Sequence, residues 1–179
     1  MKKFLLLLSA LTMAAGLAAC SSSNEEKTAK KDTKESQEEA APKVDVKKEL
    51  VKFYMDLGKR INAKDVDLNA YVAKASKEDA KPEELPTAED RAAASASAAA
   101  VAADLNSLQI PAELKNQKAD LEAAVKDYAA SYQAKADELK KDKPAFATAD
   151  ATFAQGEQKL AAVFEGAKLL APSLDKQVN

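Results

Sequence analysis

Apolar side chains recur at intervals of three and four residues through most of the chain after residue 43. This spacing places one apolar stripe along a helix, because an α-helix has 3.6 residues per turn. Forty of the 179 residues are alanine and only four are glycine, which favours helix over sheet. The pattern therefore predicts an all-α fold.

The first predicted helix covers residues 46–76 and is interrupted on its apolar face only by Lys64. We expect one long helix that is kinked or broken near Asn62 to Asp65. Residues 77–87 hold two prolines and six charged residues, which predicts a loop. The apolar stripe of this first helix consists of Leu50, Tyr54, Leu57, Ile61, Leu68, Tyr71 and Ala75.

The second predicted helix begins at Thr87, because Asp90 three residues later completes a capping-box arrangement. It should end at Gln109–Ile110, since a proline disfavours helical geometry in the residue before it. Pro111 fits the first position of the third helix. The predicted stripes are Ala94, Ala98, Val101, Leu105 and Leu108 in the second helix, and Leu114, Leu121, Val125, Tyr128, Tyr132 and Leu139 in the third.

Pro144 opens the fourth predicted helix and Pro172 ends it, which leaves a short frayed tail. Its stripe consists of Phe146, Ala149, Phe153, Gly156, Leu160, Val163, Ala167 and Leu170. Four amphipathic helices joined by short polar loops predict an antiparallel, up-down four-helix bundle. The alternative is a three-helix bundle in which residues 46–76 are split in two.

The first twenty residues have the layout of an export signal. Lys2 and Lys3 precede the apolar run from Phe4 to Ala19, which is short for a membrane span of about 20 residues. Its end, Leu17-Ala18-Ala19-Cys20, resembles the lipobox of bacterial lipoproteins. The resemblance implies cleavage before Cys20, a diacylglycerol thioether on its sulfur, and palmitate-type acyl chains as the membrane anchor. Two or more such chains hold a protein durably at about 0.8 kcal/mol per buried CH₂.

Three segments follow from this layout: a signal peptide at 1–19, the lipidated Cys20 with a charged tether to residue 42, and a helical bundle domain at 43–179. Residues 21–42 contain no Val, Ile, Leu or aromatic residue, so we expect a flexible, disordered tether. A solvated helix is the alternative for this segment. The layout resembles that of small helical lipoproteins of Gram-positive bacteria, which implies the extracytoplasmic face of the cell membrane.

The composition excludes several kinds of chemistry. The chain has no histidine, so it has no Ser-His-Asp or Cys-His machinery and no His-ligated metal. One cysteine builds neither a disulfide framework nor a thiolate zinc site. A sequence pI of about 5.4 argues against nucleic acid as a partner. We therefore expect no enzymatic activity, no cofactor and no metal site.

Tyr128, Tyr132 and Gly156 are the candidate ligand-binding residues. Tyr128 and Tyr132 stand one helical turn apart, and their hydroxyls would hold a ligand in a groove between helices. The alternative is an amphipathic core in which the hydroxyls reach water and Gly156 permits close helix packing. The sequence thus predicts a membrane-anchored, non-enzymatic binding or accessory protein that contacts a cell-wall polymer or an envelope protein. The alternative function is a small-ligand carrier.

Overall fold

The computed structural model describes residues 45–178. Helices joined by loops make up this part of the chain and it contains no strand, which confirms the all-α prediction. The predicted signal peptide, Cys20 and the tether lie outside the described residues. The α-helices of the described region are α1 (Val46–Asn62), α2 (Val66–Ala75), α3 (Ala88–Asn106), α4 (Lys118–Glu138), α5 (Ala147–Gly166) and α6 (Asp175–Val178). Short 3₁₀ turns occupy Pro82–Glu84 and Ala112–Leu114.

Residues 46–76 form two helices that are separated at residues 63–65. The hydroxyl of Ser97 on α3 lies between the backbone groups that this break frees. It donates to the Lys64 carbonyl at 2.6 Å and accepts from the Leu68 N–H at 3.4 Å. Lys64 and Leu68 are four residues apart, so the serine stands where a helical hydrogen bond would otherwise form. An inserted side chain of this kind is a recognised cause of helix breaks.

The capping box at the start of α3 is confirmed. Thr87 Oγ1 accepts from the Asp90 N–H at 3.1 Å, and Asp90 Oδ2 accepts from the Thr87 N–H at 2.9 Å. The α3 stripe is buried at Ala94, Ala98, Val101 and Leu105, whereas Leu108 lies beyond the helix and is only half-buried.

The third predicted helix begins later than Pro111, so that part of the prediction is wrong. Pro111 has extended geometry (φ −53°, ψ 141°) and precedes the 3₁₀ turn at Ala112–Leu114. The turn closes when the Leu114 N–H donates to the Pro111 carbonyl at 2.9 Å, and it buries the Leu114 side chain completely. Burial of Leu114 is thus achieved by a turn that packs against α1, and α4 starts only at Lys118.

Helix α4 packs against both α3 and α5, and its predicted stripe from Leu121 to Leu139 is buried. Ser131 on the same helix is also fully buried, and its hydroxyl donates to the Ala149 carbonyl of α5 at 2.7 Å. The central part of the core therefore lies around α4.

Helix α5 ends at Gly166, six residues before Pro172, so the prediction that the proline ends it is wrong. The chain leaves the helix through Lys168, which has a left-handed backbone (φ 57°). The Leu169 N–H donates to the Phe164 carbonyl at 2.9 Å and the Lys168 N–H to the Glu165 carbonyl at 2.8 Å, which together form a Schellman motif. Leu170 lies outside the helix and is 92% exposed. The prediction that it belongs to the buried stripe of this helix is therefore wrong.

The C-terminal segment is ordered by contacts with α1 and α2, so the predicted frayed tail is also wrong. Leu174 and Val178 are buried. Tyr54 of α1 donates its hydroxyl to the Ser173 carbonyl at 2.9 Å, and Asn69 of α2 donates through Nδ2 to the Val178 carbonyl at 3.2 Å. These long-range hydrogen bonds hold residues 173–178 against α1 and α2.

Candidate functional site

Tyr128 and Gly156, two of the three predicted ligand-groove residues, pack directly against each other. A Cβ atom at Gly156 would lie 2.8 Å from Tyr128 Cε1. The Tyr128 ring can pack this close to α5 because glycine has no Cβ atom. Tyr128 is fully buried, and its hydroxyl donates to Glu157 Oε1 at 3.0 Å. Burial raises the pKa of the Tyr128 phenol, and the charge of Glu157 raises it further. These two residues form a close contact between α4 and α5.

Tyr132, the third predicted residue, borders a cleft of about 340 Å³ between α4, α5 and the C-terminal segment. This volume falls within the range of about 300–1,000 Å³ that is usual for small-molecule sites. We call it the Tyr132 cleft. It is lined by Tyr132, Lys135, Asp150, Phe153, Ala154, Glu157, Ser173, Asp175 and Val178.

Helical spacing places the lining residues of the Tyr132 cleft on facing surfaces. Tyr132 and Lys135 are three residues apart on α4, and Asp150, Phe153 and Glu157 follow at threes and fours on α5. The C-terminal segment forms the third wall of the cleft, and its Leu174 N–H donates to Glu157 Oε1 of α5 at 2.9 Å. Glu157 therefore accepts hydrogen bonds from both α4 and the C-terminal segment at the base of the site.

Lys135 lies against the aromatic wall of the cleft. Its Nζ is 5.8 Å from the ring centroid of Tyr132, 6.0 Å from that of Phe146 and 5.9 Å from that of Phe153. It also forms an ion pair with Asp150 at 3.0 Å. An ammonium within about 6 Å of a ring centroid is attracted by the negative face of the ring. The aromatic wall is therefore already arranged around a cation.

A buried carboxylate, Asp65, adjoins the inner side of the cleft through Tyr132. Asp65 is only 1% exposed, and its Oδ2 atom has no hydrogen-bond partner. Burial raises the pKa of Asp65, while hydrogen bonds from Asn69 and Tyr132 partly oppose the rise. Burial also raises the pKa of the Tyr132 phenol, and the Asp65 charge adds to that effect. Tyr132 thus connects the cleft to a second, interior negative group.

A second cavity, of about 420 Å³, lies between α1 and residues 107–111. Its charged side chains are paired with one another, Lys52 with Glu49 at 2.7 Å and Arg60 with Asp56 at 2.8 Å. Phe53 is the one aromatic residue in its lining. The Tyr132 cleft is the better candidate site, because it combines aromatic walls with an excess of one charge.

The sequence interpretation proposed only Tyr132 of the lining, and it missed all four charged residues of the cleft: Lys135, Asp150, Glu157 and Asp175. Each resembles an ordinary solvated charge when it is considered along the sequence alone. The available signal was the position of Lys135, three residues after Tyr132 and therefore close to the apolar stripe of α4. Nothing in the local sequence indicated that residues 173–178 would fold back beside α5.

Within residues 45–178, no group of three or more acidic or cysteine side chains is arranged to hold a metal ion. In the same region, no helix is long and apolar enough to cross a membrane. The lining of the Tyr132 cleft can supply charge, aromatic faces and hydrogen-bond acceptors.

Comparison of the chain with protein-family models, with curated proteins and with solved structures gave no match in any of the three searches.

Proposed function

We propose that this chain is a lipid-anchored bacterial protein of the extracytoplasmic membrane face that binds a partner and does not catalyse a reaction. The observation that carries the proposal is the motif Leu17-Ala18-Ala19-Cys20 at the end of a short apolar run. The charged tether to residue 42 would hold the helical region away from the lipid surface, where it would reach a wall polymer or an envelope protein. The layout favours a Gram-positive host.

Binding rather than catalysis is supported by the side chains that are present. Without histidine, and with a single cysteine assigned to the anchor, the chain has no ordinary nucleophile–base pair. General acid–base catalysis by two carboxyl groups requires a cleft whose environment shifts their pKa values apart. Burial raises the carboxyl pKa of Asp65, but this residue lies behind Tyr132 and is not part of the lining of the cleft.

Metabolic labelling with a radioactive fatty acid tests the anchor. The full chain should incorporate label and sediment with membranes, and Cys20→Ser should do neither. Ser21→Ala, which changes the neighbouring residue, should behave as the unaltered chain does. Retention of label and membrane association by the Cys20→Ser protein would refute the proposal.

A second candidate function is that of a small-ligand carrier, and the Tyr132 cleft favours it. The cleft has a volume suited to a small molecule and brings together aromatic and charged side chains from three segments. A carrier would bind its ligand at this cleft and would remain tethered to the membrane through Cys20.

We further propose that the helices form the antiparallel bundle expected from the sequence, with α1 and α2 together in the place of one helix. The support is that helices adjacent in sequence pack together, α2 with α3, α3 with α4 and α4 with α5. Short connections between neighbouring helices are typical of this topology. Spin labels at opposite ends of α4 and α5 would test it, because an antiparallel pair brings the start of one close to the end of the other.

A further inference from the structure

We propose that the Tyr132 cleft binds a ligand that carries an alkylammonium group. The proposal rests on the carrier function above and names the chemical class of its ligand. It follows from the charge of the lining, from its aromatic wall and from the buried carboxylate beside it.

The lining is negative overall. Asp150, Glu157 and Asp175 contribute three carboxylates, and Lys135 contributes the single cation. Asp150 is the partner of that lysine, and its side chain is 60% exposed. A cleft lined mainly by one sign of charge raises the local concentration of ligands of the opposite sign. The cleft should therefore concentrate cations.

The aromatic wall gives the cleft a means of binding a cation that is attached to a hydrocarbon chain. Tyr132 and Phe153 line the cleft, and both rings face the Lys135 ammonium at close to 6 Å. This lysine shows that the wall accepts an ammonium at the end of an alkyl chain. A ligand of the same chemistry would place its methylene groups on the rings and its ammonium near Glu157 and Asp175.

Asp65 adds to the preference for a cation from the inner side of the cleft. Its carboxylate is almost entirely buried, has one oxygen without a hydrogen-bond partner and interacts with the Tyr132 hydroxyl. A negative group in a poorly solvated position acts over a longer distance than a solvated one, because it is less screened. The cleft therefore has a buried acidic group behind its aromatic wall as well as carboxylates in its lining.

Calorimetric titration of the full chain with three probes of matched length tests the proposal: 1,5-diaminopentane, pentan-1-ol and pentanoate. The diamine should bind at least about tenfold more tightly than the alcohol, and pentanoate should bind most weakly. Raising the salt concentration from about 0.02 M to about 0.5 M should weaken binding of the diamine and leave that of the alcohol nearly unchanged.

The sign of the effect of Lys135→Met distinguishes a cation site from an anion site. The variant removes the internal cation and frees the Asp150 carboxylate, so affinity for the diamine should rise by about threefold or more. If the site binds anions through Lys135, the same variant should abolish binding of pentanoate. That second result would overturn the proposal.

Carboxylate variants test the role of the acidic wall. Asp175→Asn and Glu157→Gln should each weaken diamine binding by about threefold to tenfold, and glutamine retains a carbonyl oxygen to accept from Tyr128 and Leu174. The matched control is Glu165→Gln, which removes one carboxylate from an exposed position on the same helix and should leave affinity unchanged. Circular dichroism shows whether each variant is folded.

Equal affinity for all three probes, or no binding of the diamine by the folded chain, would overturn the proposed ligand class. Failure of the anchor proposal is a separate result, because it depends on fatty-acid labelling of Cys20. A chain that is labelled but does not prefer the diamine would remain a lipid-anchored protein with a different ligand.

Discussion

Replacement of Gly156 by alanine tests the contact between α4 and α5. On helix propensity alone the change should stabilise the protein by about 1 kcal/mol, because glycine is the poorer helix former. The structure predicts the opposite sign. The new Cβ would lie 2.8 Å from Tyr128 Cε1 and 3.1 Å from the Ala124 carbonyl oxygen, whereas carbon atoms prefer separations of about 3.5–4.0 Å.

The Tyr128 ring would have to retreat by about 0.7 Å to restore that separation. It has little freedom to do so, because it is fully buried, its hydroxyl bonds to Glu157, and its centroid lies 4.8 Å from that of Phe153. Overpacking of this kind costs about 1–3 kcal/mol, which exceeds the gain in propensity. With the gain of about 1 kcal/mol subtracted, we expect Gly156→Ala to reduce the free energy of unfolding by up to about 2 kcal/mol.

Gly166 in the same helix provides the matched control. A Cβ atom there would have no neighbouring atom within 4 Å, so Gly166→Ala should stabilise the protein by about 0.5–1 kcal/mol. Urea denaturation followed by circular dichroism measures both variants. The reasoning is refuted if Gly156→Ala stabilises the protein as much as Gly166→Ala does.

Four further variants test separate features, each by urea denaturation. Phe153→Ala should cost about 3–5 kcal/mol, because it removes a buried ring that contacts Tyr128 and Tyr132; a loss below about 1 kcal/mol would contradict this packing. Ser97→Ala should cost about 1–3 kcal/mol, because it leaves the backbone groups at the α1–α2 break without their partner, and no loss would contradict that role. Lys168→Gly should stabilise the protein by about 1 kcal/mol, since glycine adopts the left-handed backbone without steric cost; a loss of stability would count against the Schellman geometry. Burial raises the folded-state pKa of Asp65 above its ordinary value of 3.8, so the folded state binds this proton more tightly than the unfolded state does. The free energy of unfolding should therefore fall as the pH rises above that ordinary value. Asp65→Asn should remove this fall at pH values above the ordinary pKa of Asp65, and an unchanged pH dependence would show that Asp65 is not the group responsible.

Much of the helical architecture could be predicted because it depends on local signals. The three-and-four spacing from Leu121 to Leu139 identified the buried face of α4, and the Thr87 and Asp90 pair identified the start of α3. Both patterns act within one or two turns of helix, so a single sequence displays them.

The rest depends on contacts between distant segments. Pro111 is compatible with the first turn of a helix, but burial of Leu114 against α1 selects a 3₁₀ turn instead. Residues 173–178 carry no helical signal of their own, and their order comes from Tyr54 and Asn69 more than a hundred residues earlier. The Tyr132 cleft depends on that fold-back, so only Tyr132 of its lining residues could be proposed from the sequence.

The hydrogen bond from Tyr54 to Ser173 joins residues that are 119 positions apart, and this separation constrains the order of folding. A chain is synthesised from its N-terminus, so α1 is made long before the segment that covers it. Until residues 173–178 arrive, the apolar face of α1 that they help to bury lacks that partner. Closing so long a loop carries an entropic cost that local helix contacts do not. We therefore expect the C-terminal segment to dock on α1 after α3, α4 and α5 have packed together.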